Sequence, residues 1–110
     1  MIGHDRSEHV EQNEKVEIGK NRKVKIGNDD KLSVGHSLDV WVGSNIKIKA
    51  GSSITLTVGA STIKMDPTSI KIESPIITVE AKALAKLSSP LTFIEGKAIL
   101  SLTGGIVKIN

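Results

Sequence analysis

The sequence predicts an all-β fold in which short strands are turned at regular corners, and three observations predict it. Seven of the ten glycines share one eight-residue register: Gly3, Gly19, Gly27, Gly35, Gly43, Gly51 and Gly59, with Glu11 in the one vacant slot. Apolar residues between them recur at a spacing of two, the period of a half-buried strand. Only Trp41 and Phe93 are aromatic in 110 residues, which suits a thin prism of aliphatic side chains better than a globular core. A short fixed period marks a repeat architecture and outranks local propensity.

Each octad is written here as positions a to h with glycine at d. Positions a and c hold the expected core: Val16 and Ile18, Val24 and Ile26, Leu32 and Val34, Val40 and Val42, Ile48, and Leu56 with Val58. Position b between them is polar, as in Glu17, Lys25 and Ser33, apart from Trp41. Apolar–polar–apolar runs of β-branched residues read as strands with one buried face. The glycine that follows is expected to supply a corner conformation that a Cβ reaches only at a steric cost. Position f carries Asn13, Asn21, Asp29, Ser37, Asn45 and Ser53, side chains that cap turns by bonding nearby backbone.

Two arrangements accept this unit. Corners that reverse the chain would give antiparallel hairpins. Corners of about a third of a circle would give a triangular β-solenoid of roughly 24 residues per coil. The uniform glycine favours the second, because a meander alternates two kinds of turn. A single chain would complete only about four to five coils and expose unpaired edges at both ends. Three intertwined chains share those edges, and the trimer is the preferred form.

After Val58-Gly59 the regular glycines stop, and residues 1–62 and 63–110 are read as two parts of one architecture. In the second part Asp66-Pro67, Ser74-Pro75 and Ser88-Ser89-Pro90 supply turns. Apolar residues recur near a spacing of seven, at Ile63, Ile70, Ile77, Leu84, Leu91 and Ala98. Ile77 to Leu87 alternates through Ala81, Ala83 and Ala85 and reads as one longer strand. Val107-Lys108-Ile109-Asn110 closes the chain as a further strand after Gly104-Gly105.

Composition narrows the function. Residues 1–31 hold seven basic and seven acidic side chains and residues 32–110 hold eight and five, a mixed exterior that discourages edge-to-edge aggregation. The net charge of +3 is too diffuse for a phosphate-tracking stripe, and no aromatics interleave for base stacking, so nucleic acid is not an expected partner. With no cysteine, disulfides, thiolate nucleophiles and cysteine metal sites are excluded. No stretch is apolar and long enough for a spanning helix, and no signal-peptide pattern opens the sequence.

Chemistry-bearing motifs are sparse. His4 and His36 sit just past corners and His9 at an outward position, so a metal held on a threefold axis is not expected. Gly27-Asn28-Asp29-Asp30 is oxygen-rich but lacks the denser nine-residue glycine–aspartate pattern of calcium solenoids. Nucleophile elbow, zinc-helix and phosphate-loop motifs are missing, and the carboxylates fall where no apolar pocket would raise a pKa. No catalytic residue, metal or cofactor is expected, and the chain is read as a non-enzyme. Trp41 reads as a residue packing across strand exteriors rather than as a docking site.

The octads Val16-Glu17-Ile18-Gly19, Val24-Lys25-Ile26-Gly27, Leu32-Ser33-Val34-Gly35 and Val40-Trp41-Val42-Gly43 resemble the C-terminal needle of VgrG, the valine-glycine repeat spike of bacterial type VI secretion. They are also similar to the octad needle of the phage T4 tail-puncturing lysozyme. Glu11 for glycine, Glu8 at an inward position and Ala50 for valine depart from the pattern. The resemblance implies a homotrimeric, intertwined triple-stranded β-helix of triangular section, a β-prism of octads followed by less regular strands. It implies a structural needle that is cytoplasmic before firing and is then driven into a target cell envelope in transient contact with its membrane. It further implies a PAAR-repeat tip protein at the C-terminal end, here Ile106, Val107, Lys108, Ile109 and Asn110, with effectors carried on spike or tip. Tail-hub domains that would join the secretion tube protein are not in this sequence, so Met1 is expected to open a fragment. A phage or bacterial surface fibre with a receptor-binding end is the alternative. A left-handed β-helix acyltransferase is a weaker rival, since those use a period of six.

Overall fold

The structure, a computed structural model, describes residues 6–109, and it is all β with three strands and no helix among them. The chain divides into two units, Met1–Asn45 and Ile46–Asn110.

In the first unit the chain bends at Glu11–Gln12, Gly19–Lys20, Gly27–Asn28, Gly35–His36 and Gly43–Ser44, always at positions d and e, and runs unbent between. The same metre carries on in the second unit at Gly51–Ser52, Gly59–Ala60, Pro67–Thr68 and Pro75. It then steps alternately by seven and eight, at Lys82–Ala83, Pro90–Leu91, Lys97–Ala98 and Gly105–Ile106. The rhythm therefore outlives the glycines, with prolines standing in the glycine slot at 67, 75 and 90. The bend at Lys82–Ala83 also breaks the longer strand expected over Ile77 to Leu87.

The corner itself differs from expectation. Among the described glycines only Gly59 has a positive φ, of 55°. A Cβ placed on Gly19, Gly27, Gly35, Gly43 or Gly51 meets no atom of its own chain within 4 Å. These corners use backbone angles open to any residue, which is why Glu11 takes one and why proline, locked near φ −65°, takes others. Gly3 lies outside the described residues.

The second unit contains a three-stranded antiparallel meander: β1 (Ile54–Val58), β2 (Ser61–Met65) and β3 (Ile70–Glu73). Pairing of Val58 with Ser61 leaves Gly59 and Ala60 as a two-residue loop. Positive φ at the first loop residue alone matches the type II′ pattern, whose twist suits the flanking strands. Here the corner reverses the chain, so the hairpin arrangement set aside for the octads holds locally. Asp66 organises the next reversal. Its Oδ1 accepts the Thr68 and Ser69 backbone N–H groups at 3.0 and 2.9 Å, and the Asp66 N–H donates to the Ser69 carbonyl at 3.0 Å. Those bonds, that from Thr68 N–H foremost, hold the Asp66 carboxyl below its ordinary pKa.

Candidate trimerisation surface

No described side chain is buried. Of the residues read as core, Val16, Ile18, Val24, Ile26, Leu32, Val34, Val40, Val42, Ile48, Leu56 and Val58 all stand open to their surroundings. Their order is nonetheless regular. Position c, beside the bend, is 44–52% exposed from Val10 to Val42, and position a is 59–74% exposed from Val16 to Leu56. One aliphatic is thus tucked against each corner and one projects from mid-strand, in register from octad to octad.

Ion pairs fix which residues share a side. Arg6 meets Glu8 at 3.1 Å and Lys15 meets Glu17 at 3.1 Å, both two residues apart. Side chains two apart lie on the same side of an extended segment, so g goes with a, and h goes with b. Each straight segment then has one side built from g, a and c and another built from f, h and b. Trp41, at position b, is 93% exposed on the second side and packs against nothing in its own chain.

The meander carries the same division into paired strands. Register sets Leu56 opposite Ile63 and Ile63 opposite Ile72, with Ile54, Met65 and Ile70 along the same face. Thr55, Thr57, Thr62, Lys64, Lys71 and Glu73 occupy the other. Ile76 and Ile77 line an open hollow of about 330 Å³ together with Leu56, Val58, Ile63 and Ile72, and with Ser61, Thr62, Glu73, Ser74 and Thr78. Its surface is mostly hydrocarbon and suits aliphatic side chains.

Backbone bonding points the same way. Outside the strand ladders the described residues make one backbone–backbone hydrogen bond, in the Asp66 loop, so residues 6–45 make none among themselves. Ordering a residue costs roughly 1–2 kcal/mol of backbone entropy. Forty ordered residues with neither burial nor internal backbone–backbone bonds are not a stable unit, and backbone groups of this kind are satisfied by strands of other chains.

Two features were not legible in the sequence. Gly96 sits where a Cβ would collide with the Ile99 carbonyl oxygen and come within 2.8 Å of its carbon, a tight approach that no periodicity signals. The Ser61 and Ser74 hydroxyls bond each other at 2.9 Å across 13 residues. At the C-terminal end Ile106, Val107 and Ile109 are exposed, Lys108 is exposed between them, and Asn110 lies outside the described residues. No group of metal-capable side chains occurs among the described residues.

With this geometry in place, comparison with known families is informative. A family model for the bacteriophage T4 gp5 C-terminal trimerisation domain matches residues 1–65. No curated protein matches the chain.

Proposed function

The chain belongs to the bacteriophage T4 gp5 C-terminal trimerisation domain family, and from this premise we propose that it is the cell-puncturing needle of a type VI secretion spike of the VgrG kind. Family membership makes it a β-helical homotrimer with a structural role in a phage-tail-like needle. The finer reading rests on the Val-x-Val-Gly octads between Val16 and Gly43, and it adds the secretion system, the target and the tip.

One observation carries the mechanical part. Residues 6–45 keep every aliphatic open and pair no backbone internally, so both are completed only by other copies. Interleaved strands give each backbone group a neighbour above and below, leaving no free edge along the segment. A chain held in this way detaches only by unwinding many turns, so resistance to axial load and detergent is kinetic. The sides bearing Glu17, Lys25 and Lys49 oppose spontaneous insertion into lipid, and puncture is mechanical.

In this reading the trimer does no chemistry and needs no cofactor. It waits in the bacterial cytoplasm, fires with the secretion tube to which further domains would join it, and passes through the target envelope in transient contact with the membrane. Its C-terminal end, residues 106–110, receives a PAAR-repeat tip that carries effectors. The test is binding of a PAAR-repeat protein to the purified trimer, with and without residues 106–110. The expected result is one tip protein per trimer, lost on truncation. Failure of PAAR-repeat proteins to bind, together with binding of a surface glycan or host receptor, would assign the chain to a receptor-binding fibre instead.

A further inference from the structure

We propose that Arg6, Glu14, Arg22 and Asp30 form a ladder of alternating charge between chains, and that this ladder sets the register of the trimer. All four occupy position g, and their signs run plus, minus, plus, minus in consecutive octads. The same column continues as Leu38, Ile46 and Ile54, so the alternation is confined to its first four places. The Arg6–Glu8 contact at 3.1 Å places g on the same side as a. The charges therefore lie on the side that the aliphatics of a and c present to other copies.

Symmetry brings them together. The proposal rests on the homotrimer and not on the secretion role. In a threefold β-helix with one corner per octad, each layer holds the same octad from all three chains, one on each side of the prism. After a corner each chain has moved to the next side, so the octad above any given one belongs to a neighbouring chain. Consecutive position-g residues are then adjacent on different chains, about 4.8 Å apart in the stacking direction. Arg6 of one copy meets Glu14 of the next, Glu14 meets Arg22, and Arg22 meets Asp30. Opposite charges adjacent across strands stabilise and like charges destabilise.

Aliphatic layers alone define register weakly, because Val16-Ile18, Val24-Ile26 and Leu32-Val34 are nearly interchangeable. If one chain slipped by one octad, like charges would meet at some rungs, and aliphatic packing has no such penalty. Glu8 shares Arg6 within its own chain, so the first rung is the weakest.

The test uses the full chain and a variant that inverts the whole column: Arg6→Glu, Glu14→Arg, Arg22→Glu and Asp30→Arg. Inversion preserves every attraction between identical copies, so this variant is expected to trimerise as the parent does. Co-refolded with the parent and read by native mass spectrometry, the two chains should sort into pure trimers. In a mixed trimer two of every three rungs become like-charged, and mixed species are expected at least about tenfold below random mixing at low salt. Random mixing at low salt, or an inverted chain that fails to trimerise, would each overturn the proposal.

Discussion

Residues 6–45 and residues 54–73 carry the same strand pattern to different ends. The first stretch bends every eighth residue, pairs no backbone within itself and leaves every side chain exposed. The second folds back on itself twice, and the half-buried residues Ile54, Ser61, Thr62, Asp66 and Ser74 all lie in or beside it. The difference lies at the corners and not in the strands. At Gly59 a positive φ, and at Asp66 a carboxylate taking two backbone N–H groups, close the chain into hairpins. At Gly19 to Gly51 neither device is present, and the straight segments are left for other copies to pair. Equal hydrophobic patterning thus yields self-pairing or trimer-pairing according to what a corner of two to four residues does.

The contrast breaks most completely if the octads lose their aliphatics. Val24→Asp with Ile26→Asp brings three pairs of carboxylates to a dry interface, and an unpaired charge there costs several kcal/mol. Complete loss of the trimer is expected in sedimentation.

Glycines sharpen it next. Gly96→Ala drives a Cβ into the Ile99 carbonyl and should cost about 1–3 kcal/mol. Gly59→Ala forces a Cβ into the left-handed region and should cost about 1–2 kcal/mol. Gly27→Ala, at a corner without positive φ and with open space in its own chain, should cost less than about 0.5 kcal/mol. Thermal denaturation of the three trimers orders them. A large loss at Gly27 would reveal a neighbouring chain pressed against that corner.

Acid acts on the Asp66 loop. The Asp66 carboxyl is held below its ordinary pKa by bonds that need its charged form. Its contribution is therefore full above the unfolded-state value and is lost as pH falls through the lower folded value. Thr68 and Ser69 amide resonances should shift together below the ordinary carboxylate range. Asp66→Asn should remove the shift. The smallest effect belongs to Glu17→Ala. Its pairing with Lys15 at 3.1 Å involves side chains about four-fifths exposed, so trimer stability should move by less than about 0.5 kcal/mol.

Much of the local structure was legible. A glycine every eight residues with β-branched neighbours gave the bend positions from Gly19 to Gly59, and alternation gave which side chains share a face. Residues 63–110 were less legible because the corner signal passes from glycine to Pro67, Pro75 and Pro90 and then to Lys82 and Lys97, residues with no common appearance. Counting apolar residues there suggested a spacing of seven, whereas the bends keep eight as far as Pro75 and then alternate. The tight approach at Gly96 was hidden, since it depends on how the backbone at Ile99 returns toward it and not on residue type. At the proposed tip, Ile106 to Ile109 were recognisable as an alternating end, but their exposure follows from what stands beside them.

The sequence by itself determined an all-β chain and the eight-residue metre, because glycines every eight residues and aliphatics spaced by two leave no other period to follow, and it favoured a trimer without excluding a coil of one chain. Tertiary structure decided which corners bend and which reverse. That choice rests on a dihedral sign at Gly59 and a hydrogen-bonded loop at Asp66, which cost or return only a few kcal/mol and are set by the strands they join. Residues of the same type at Gly51 and Gly59 therefore carry the chain in different directions.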